Sequence, residues 1–260
     1  MTVHPVRPEA EARSHEGSAV GVLVLHGFTG SPQTMRLVAD AMVSAGFSVE
    51  VPRLPGHGTH IDDMKSTGFD DWAAAVEATY GDLFVRTEKV VVVGLSMGGT
   101  LAAWLTARHP EIAGAVFVNP LAAPFDPAML HIVDEMIAAG ETESAGTRTG
   151  SDIADPDAIE NAYAGNPLVP LRSLSIALRE LQPELAKITC PVLIMTSTND
   201  HVVDPASSDH LAATVSGPVE RVTLERSFHV ATLDYDRDII IDRTIAFVHK
   251  VAGDPGSRHL

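Results

Sequence analysis

The fold of this chain is decided by the stretch Lys89-Val90-Val91-Val92-Val93-Gly94-Leu95-Ser96-Met97-Gly98. Its run of valines is β-branched and apolar without alternation, which is typical of a strand buried on both faces of a parallel sheet. Residues 100–109, which follow, have the Ala- and Leu-rich composition of a helix. Glycines on both sides of Ser96 allow a sharp strand-to-helix turn that holds the hydroxyl out at the end of the strand. We therefore predict that Ser96 is a nucleophile.

The alternation of strand and helix continues on both sides of this turn. Apolar runs predict further strands at residues 20–25, 47–51, 112–118, 191–196 and 219–224. Helical patterns cover residues 31–45, 70–84 and 236–251. Such a series forms βαβ units around an open, mostly parallel sheet flanked by helices. We expect one large α/β domain, because 260 residues of which 45% are apolar can bury a sizeable core.

One connection in this series, between the strands predicted at residues 112–118 and 191–196, is far longer than a crossover requires. Long excursions from a compact domain usually serve as lids or binding loops. We predict that residues 121–186 form an inserted helical cap on a core made of residues 20–120 and 187–253. Residues 1–19 are expected to form an N-terminal arm and residues 254–260 a frayed C-terminal tail.

Two titratable residues follow later strands and complete a candidate catalytic group with Ser96. A serine hydroxyl needs a positioned imidazole to take its proton, and the imidazole needs an acid. Asp200 follows the strand at residues 191–196, and His229 follows the strand at residues 219–224. Because parallel strands bring their carboxyl ends to one edge of a sheet, these side chains can meet. Asp204 is an alternative acid, and we favour Asp200 because it follows its strand more closely.

These residues predict a serine hydrolase that cleaves carboxylic esters. Ser96 attacks the carbonyl carbon, His229 acts as general base and then as general acid, and Asp200 orients the imidazole and stabilises the imidazolium. Backbone N–H groups of Phe28 and Met97 are expected to bind the oxyanion of the tetrahedral intermediate. This chemistry requires neither a metal nor an organic cofactor.

The composition of the chain restricts its partners. Lys and Arg total 18 against 34 Asp and Glu, and the net charge of −16 argues against binding to nucleic acid or anionic lipid. The single cysteine, Cys190, cannot form an intramolecular disulfide. Residues 1–19 lack the apolar region of a secretory signal, and no later run is long enough for a stable membrane anchor. We expect a cytoplasmic protein with a small-molecule ester substrate; its oligomeric state is open and includes a homodimer.

Several motifs in the chain resemble those of the bacterial monoacylglycerol lipases and the related thermostable carboxylesterases. The resemblance runs from about Val20 to Gly253 and rests on residues 26–30 (HGFTG), 55–60 (PGHGTH), 94–100 (GLSMGGT), 150–152 (GSD) and 229–236 (HVATLDYD). It implies the α/β-hydrolase fold with a small mobile cap, acting on monoacylglycerols and other short or medium esters. It also implies that Ser96, Asp200 and His229 form the triad, with Phe28 and Met97 as oxyanion donors.

Three residues of the predicted cap are expected to bind the substrate, two of them by the same resemblance and one by the apolar composition of the cap. Glu160 falls where these lipases hold the glycerol head group; the alternative is that it lies on a solvated helix face. Thr149 occupies an acyl-pocket position that is more apolar in the lipases. Ile137 belongs to a set of apolar cap residues that would face the site, although core packing explains most of that set.

The sequence leaves two other functions open. An acyltransferase or a thioesterase would use the same triad, because other nucleophiles can attack an acyl-enzyme and thioesters can form one. A non-catalytic binding protein could share the fold, since a fold does not imply a function. The intact set of Ser96, Asp200 and His229 favours an enzyme.

Overall fold

The computed structural model describes residues 4–145 and 151–252. Its strands are β1 (Arg13–His15), β2 (Val20–Leu25), β3 (Ser48–Val51), β4 (Lys89–Leu95), β5 (Gly114–Val118), β6 (Glu143–Ala145), β7 (Gly165–Pro167), β8 (Val192–Ser197) and β9 (Val219–Leu224). Its helices are α1 (Arg36–Ser44), α2 (Ile61–Met64), α3 (Phe69–Arg86), α4 (Met97–Thr106), α5 (Pro127–Ala138), α6 (Leu168–Leu181), α7 (Ala206–Thr214) and α8 (Arg237–Ala252). Short 3₁₀ turns cover Pro32–Met35, Gln182–Lys187 and Ala231–Leu233.

The main sheet has seven strands in the order β1-β3-β2-β4-β5-β8-β9, and β6 pairs with β7 in a separate antiparallel ribbon. Neighbouring strands of the main sheet are parallel, except that β1 is antiparallel to β3. The predicted mostly parallel α/β sheet is therefore confirmed. Strands β4, β5, β8 and β9 follow one another in this order and are parallel, so their carboxyl ends lie at one edge of the sheet.

The N-terminal arm contributes a strand that the sequence did not predict. In β1, Arg13 lies opposite Val51 and His15 opposite Val49 of β3. The three side chains of this strand are exposed or half-buried, so the segment lacks the apolar run that marks the other strands. A short, polar strand at the edge of a sheet is common, because it discourages pairing with strands of other chains.

Two helices begin several residues away from their predicted starts, whereas α3 and α8 begin within one residue of theirs. The helix expected over residues 31–45 divides into the 3₁₀ turn Pro32–Met35 and α1. Helix α4 begins at Met97 instead of residue 100, so it follows Ser96 directly. Its first turn contains glycine because a Cβ on Gly98 would lie 2.3 Å from the carbonyl oxygen of Leu25. Close packing against β2 thus outweighs the poor helix propensity of glycine.

The core lies on both faces of the sheet. Val90 and Val92 of β4 belong to the apolar cluster covered by α3, α4 and α6, whereas Val91 and Val93 belong to the cluster covered by α1 and α8. Each large apolar side chain buried in this way contributes about 1.5–3 kcal/mol of transfer free energy. Burial on two faces explains why the valine run shows no alternation.

The long connection between β5 and β8 contains α5, β6, β7 and α6. Helix α6 joins the core through Leu174, Leu178 and Leu181, which are almost fully buried. The proposed division of the chain into a cap over residues 121–186 and a core on either side stays a prediction. Residues 254–260, the predicted tail, lie outside the described residues.

Candidate active site

Ser96 lies at the turn between β4 and α4, with a backbone φ of 57° and ψ of −120°. A positive φ at a residue other than glycine costs on the order of 1–3 kcal/mol and is common at functional sites. The turn is compressed, because a Cβ on Gly94 would lie 2.2 Å from the carbonyl oxygen of Gly98. The N–H of Ser96 donates to Val118 O of the neighbouring strand at 3.1 Å. Close packing and this bond hold the serine in its strained conformation.

His229 and Asp200 form a buried pair beyond the ends of β9 and β8. Nδ1 of His229 lies 2.7 Å from Oδ2 of Asp200, and the two side chains are 8% and 2% exposed. The other oxygen, Oδ1, accepts the N–H groups of Val202 and Val203 at 2.9 and 2.8 Å. A carboxylate in this position orients the ring so that Nδ1 carries a proton and Nε2 is free to act as a base. Asp204 accepts instead from the N–H of Ala206, the first residue of α7, at 2.9 Å.

Ser96 and His229 line one cavity with a volume of about 180 Å³. Side chains from the core loops and from the segment between β6 and β7 complete its wall. The lining residues are Phe28, Thr29, Ser96, Ser151, Asp152, Glu160, Ala162, Tyr163, Ala164, Asn166, Val202, His229 and Val230. The cavity can hold a small group beside the serine hydroxyl and the imidazole.

The loop after β2 packs directly against Ser96. A Cβ on Gly27 would lie 3.3 Å from Cβ of Ser96 and 3.7 Å from its Oγ. His26 holds the loop, since its Nε2 accepts from Leu54 N at 3.2 Å and its Nδ1 donates to Gly27 O at 3.0 Å. Burial and the adjacent ring of His57 lower the pKa of His26 to about 3, so the imidazole is neutral at neutral pH.

The chain is similar to several known proteins over most of its length. Residues 18–236 match the family described as Serine aminopeptidase, S33. The chain is 44% identical over 251 residues to the thermostable monoacylglycerol lipase of Bacillus sp. (strain H-257), covering 96% of this chain and 98% of that protein. It is 26% identical over 242 residues to a carboxylesterase of Bacillus subtilis (strain 168), covering 91% and 95%. A solved structure from work on the metagenome-derived lipolytic enzymes LipS and LipT has a TM-score of 0.89 and 37% identity, covering 95% of this chain and 100% of that one.

The chain belongs to the bacterial monoacylglycerol lipase family. This family is part of the α/β-hydrolase superfamily, so the predicted family, fold and enzyme class, a serine hydrolase of the carboxylic ester type, are confirmed. Within residues 4–145 and 151–252, no helix is long and apolar enough to cross a membrane. The same residues contain no group of three or more His, Cys, Asp or Glu side chains that could hold a metal ion.

Glu160 lines the cavity beside Ser96 and belongs to the segment between β6 and β7. The hydroxyl of Ser151 donates to its Oε2 at 2.5 Å. Burial raises the pKa of Glu160, and the nearby carboxylate of Asp152 adds to the shift, although the hydrogen bond from Ser151 and the imidazole of His229 oppose it. The segment around Glu160 is not helical, so the side chain lies on the cavity wall and not on a solvated helix face.

Two buried aspartates near the site carry contacts that the sequence did not reveal. Asp152 Oδ2 accepts the backbone N–H groups of His201 and His229, each at 3.1 Å. Asp234 Oδ2 accepts the N–H groups of Ala154 at 2.8 Å and Phe228 at 2.9 Å. Both aspartates belong to motifs of the family resemblance, and that was their only signal in the sequence. They fasten the segment that follows residue 150 to the loop that carries His229.

The remaining predicted site residues occupy different positions. Met97 is buried and follows Ser96 at the start of α4, and Phe28 lines the cavity. Ile137 is half-buried on α5 and is not part of the cavity wall as the described residues form it. Thr149 lies outside the described residues.

Proposed function

We propose that this chain hydrolyses monoacylglycerols to fatty acid and glycerol, and cleaves short- and medium-chain carboxylic esters, through an acyl-enzyme on Ser96. The observation that carries the proposal is the 2.7 Å hydrogen bond between His229 and Asp200 on a cavity that Ser96 also lines. The names of the relatives, a thermostable monoacylglycerol lipase and a carboxylesterase, support the same class of substrate.

In the proposed reaction, Ser96 Oγ attacks the carbonyl carbon while His229 Nε2 takes the hydroxyl proton. The N–H groups of Phe28 and Met97 bind the resulting oxyanion, each such donor being worth about 10²–10³ in rate. His229 then protonates the leaving alcohol, and the acyl group stays on Ser96. Water attacks the acyl-enzyme by the same steps in reverse, releasing the fatty acid and restoring Ser96.

The polar residues of the cavity wall support glycerol as the preferred alcohol part of the ester. Glu160, Ser151 and Asn166 are polar lining residues of the cavity, whose wall also includes the apolar Phe28 and Val230. A carboxylate accepts hydrogen bonds from two hydroxyl groups, which a monoacylglycerol has and a simple alkyl ester lacks. Hydrogen bonds to a charged group contribute about 1.5–3 kcal/mol each, enough for strong discrimination between alcohols.

The test is a panel of p-nitrophenyl esters of increasing acyl length beside 1-monoacylglycerols, with the wild type and Glu160→Gln. We expect kcat/KM for a monoacylglycerol to fall about 10- to 100-fold in the variant, because one charged acceptor is lost. Hydrolysis of p-nitrophenyl butyrate should stay within about threefold, since its leaving group has no free hydroxyl for Glu160. Glu141→Gln, at an exposed position after α5, is the matched control. Equal loss on both substrates, or a wild type inert to monoacylglycerol, would remove the glycerol preference and leave a general esterase.

A further inference from the structure

We propose that Asp152 is a positioning residue that holds the loops of Asp200 and His229 in the relative arrangement that catalysis requires. This inference rests on the proposed function, in which those two residues activate Ser96. Asp152 comes from the long connection between β5 and β8, whereas Asp200 and His229 follow β8 and β9. A residue of one region would thus complete the machinery of another.

The contacts of Asp152 link both loops through one carboxylate. Oδ2 accepts the backbone N–H of His229 and the backbone N–H of His201, the residue after Asp200, each at 3.1 Å. Oδ1 lies 3.0 Å from Nδ1 of His201. The carbonyl oxygen of Asp152 accepts the N–H of Val230 at 3.1 Å. Any movement of one loop relative to the other stretches bonds to the same oxygen.

The sheet also holds the backbone of His229, through a different residue. Asn119, at the end of β5, donates from Nδ2 to the carbonyl oxygen of His229 at 2.8 Å. The sheet therefore holds the carbonyl side of His229, and Asp152 holds its N–H side. The backbone of His229 is fixed from two directions, which limits the drift of its ring away from Ser96.

The environment of Asp152 shows that a charged acceptor is maintained there. The residue is 5% exposed, and burying a carboxylate costs several kcal/mol unless hydrogen bonds compensate. Burial alone would raise the pKa of Asp152, but the backbone hydrogen bonds of His201 and His229, together with the side chain of His201, outweigh burial and lower it. Asn in the same place keeps one oxygen for the two backbone N–H groups, but it is neutral and puts an NH₂ group where Oδ1 now faces His201, so it weakens these charge-assisted hydrogen bonds.

The experiment compares Asp152→Asn with Asp155→Asn, a substitution three residues later in the same segment. Asp155 pairs with Arg237 at 3.5 Å and touches neither Asp200 nor His229. We measure kcat and KM for p-nitrophenyl butyrate, the rate constant for phosphonylation of Ser96 by a fluorophosphonate, and the melting temperature. In Asp152→Asn, kcat and the phosphonylation rate should fall together by about 100-fold, with KM within about twofold, as a misplacement of roughly 1 Å would cause. Asp155→Asn should keep both rates within about twofold.

Two outcomes overturn the inference. One is a kcat and a phosphonylation rate near the wild-type values in Asp152→Asn, even with a lowered melting temperature, because Asp152 would then only stabilise the fold. The other outcome concerns the case in which Asp152→Asn does not fold. The variant His201→Ala is then measured instead, because it removes the contact to Oδ1 of Asp152 at a partly exposed side chain. We expect it to lower the phosphonylation rate about fivefold or more, and an unchanged rate would overturn the inference. Ester hydrolysis that persists in Ser96→Ala would instead contradict the proposed function.

Discussion

The two walls of the catalytic cavity are built in different ways. The wall at the sheet edge is formed by Ser96 and His229, with Asp200 bonded to the imidazole, and all three residues lie beyond the ends of parallel strands. The second wall, formed by residues 151–166, has little regular structure beyond β7 and is held by side chains that bond distant backbone groups. Gln33 Nε2, for example, donates to Ile159 O at 2.8 Å. The chemistry therefore depends on strand order, whereas the fit of the substrate depends on individual long-range contacts.

The sharpest test of the sheet-edge wall is Ser96→Ala. We expect kcat to fall about 10⁶-fold, because the members of a triad act as a unit and only the oxyanion donors and binding remain. Melting temperature should change little or rise, since alanine adds no group to the cavity. Steady-state hydrolysis of p-nitrophenyl butyrate measures the loss, and Ser44→Ala on the exposed face of α1 is the control. Activity above about 1% of the wild type would contradict the assignment of the nucleophile.

The same contrast explains what could be predicted from the sequence. The sheet-edge wall follows from local signals: apolar runs mark the strands, glycines mark the turn at Ser96, and parallel strands bring their ends together. The strand β1 was missed because Arg13–His15 is polar and pairs only at an edge. The contacts of Asp152 were missed because they join residues 49 and 77 positions apart. No periodicity in a single sequence encodes such contacts, and they depend on the completed fold.

A second prediction concerns His26 and His57, which are buried in the neutral form in the loops that follow β2 and β3. Burial lowers the pKa of His26 to about 3 and that of His57 to about 4. Between about pH 6.5 and these values the unfolded chain binds more protons than the folded chain, so stability falls as pH falls. From pH 7.5 to 5.5 the two residues together should lower the free energy of unfolding by about 2–3 kcal/mol. Urea unfolding at both pH values measures this loss.

His57→Gln isolates one of these residues, because an amide can still donate to Pro55 O, which now lies 3.0 Å from Nδ1 of His57. The variant should show a pH-dependent loss smaller by about 1–1.5 kcal/mol, as one titrating group is removed. His131→Gln is the matched control, since that side chain is 74% exposed. If both variants show the wild-type dependence on pH, buried histidine is not the source of the acid sensitivity.

The last prediction breaks two hydrogen bonds of the second wall and leaves the sheet edge intact. The hydroxyl of Tyr163 donates to Gly56 O at 2.8 Å and accepts the N–H of Thr59 at 3.0 Å, while its ring lines the cavity. Tyr163→Phe leaves both backbone groups without this partner, so the free energy of unfolding should fall by about 1–3 kcal/mol. Tyr235→Phe, at a side chain that is 40% exposed, should change it by less than about 0.5 kcal/mol.

The kinetic consequence of Tyr163→Phe separates the two walls. A loosened substrate wall should raise KM for a monoacylglycerol several-fold, since removing uniform binding raises KM without lowering kcat. The rate of Ser96 phosphonylation should stay within about twofold of the wild type, because the hydrogen bond between Asp200 and His229 does not involve Tyr163. A phosphonylation rate that falls as KM rises would contradict this prediction. It would show that Tyr163 also affects the positions of the reacting groups, a role proposed above for Asp152 alone. The long-range contacts would then govern chemistry as well as fit.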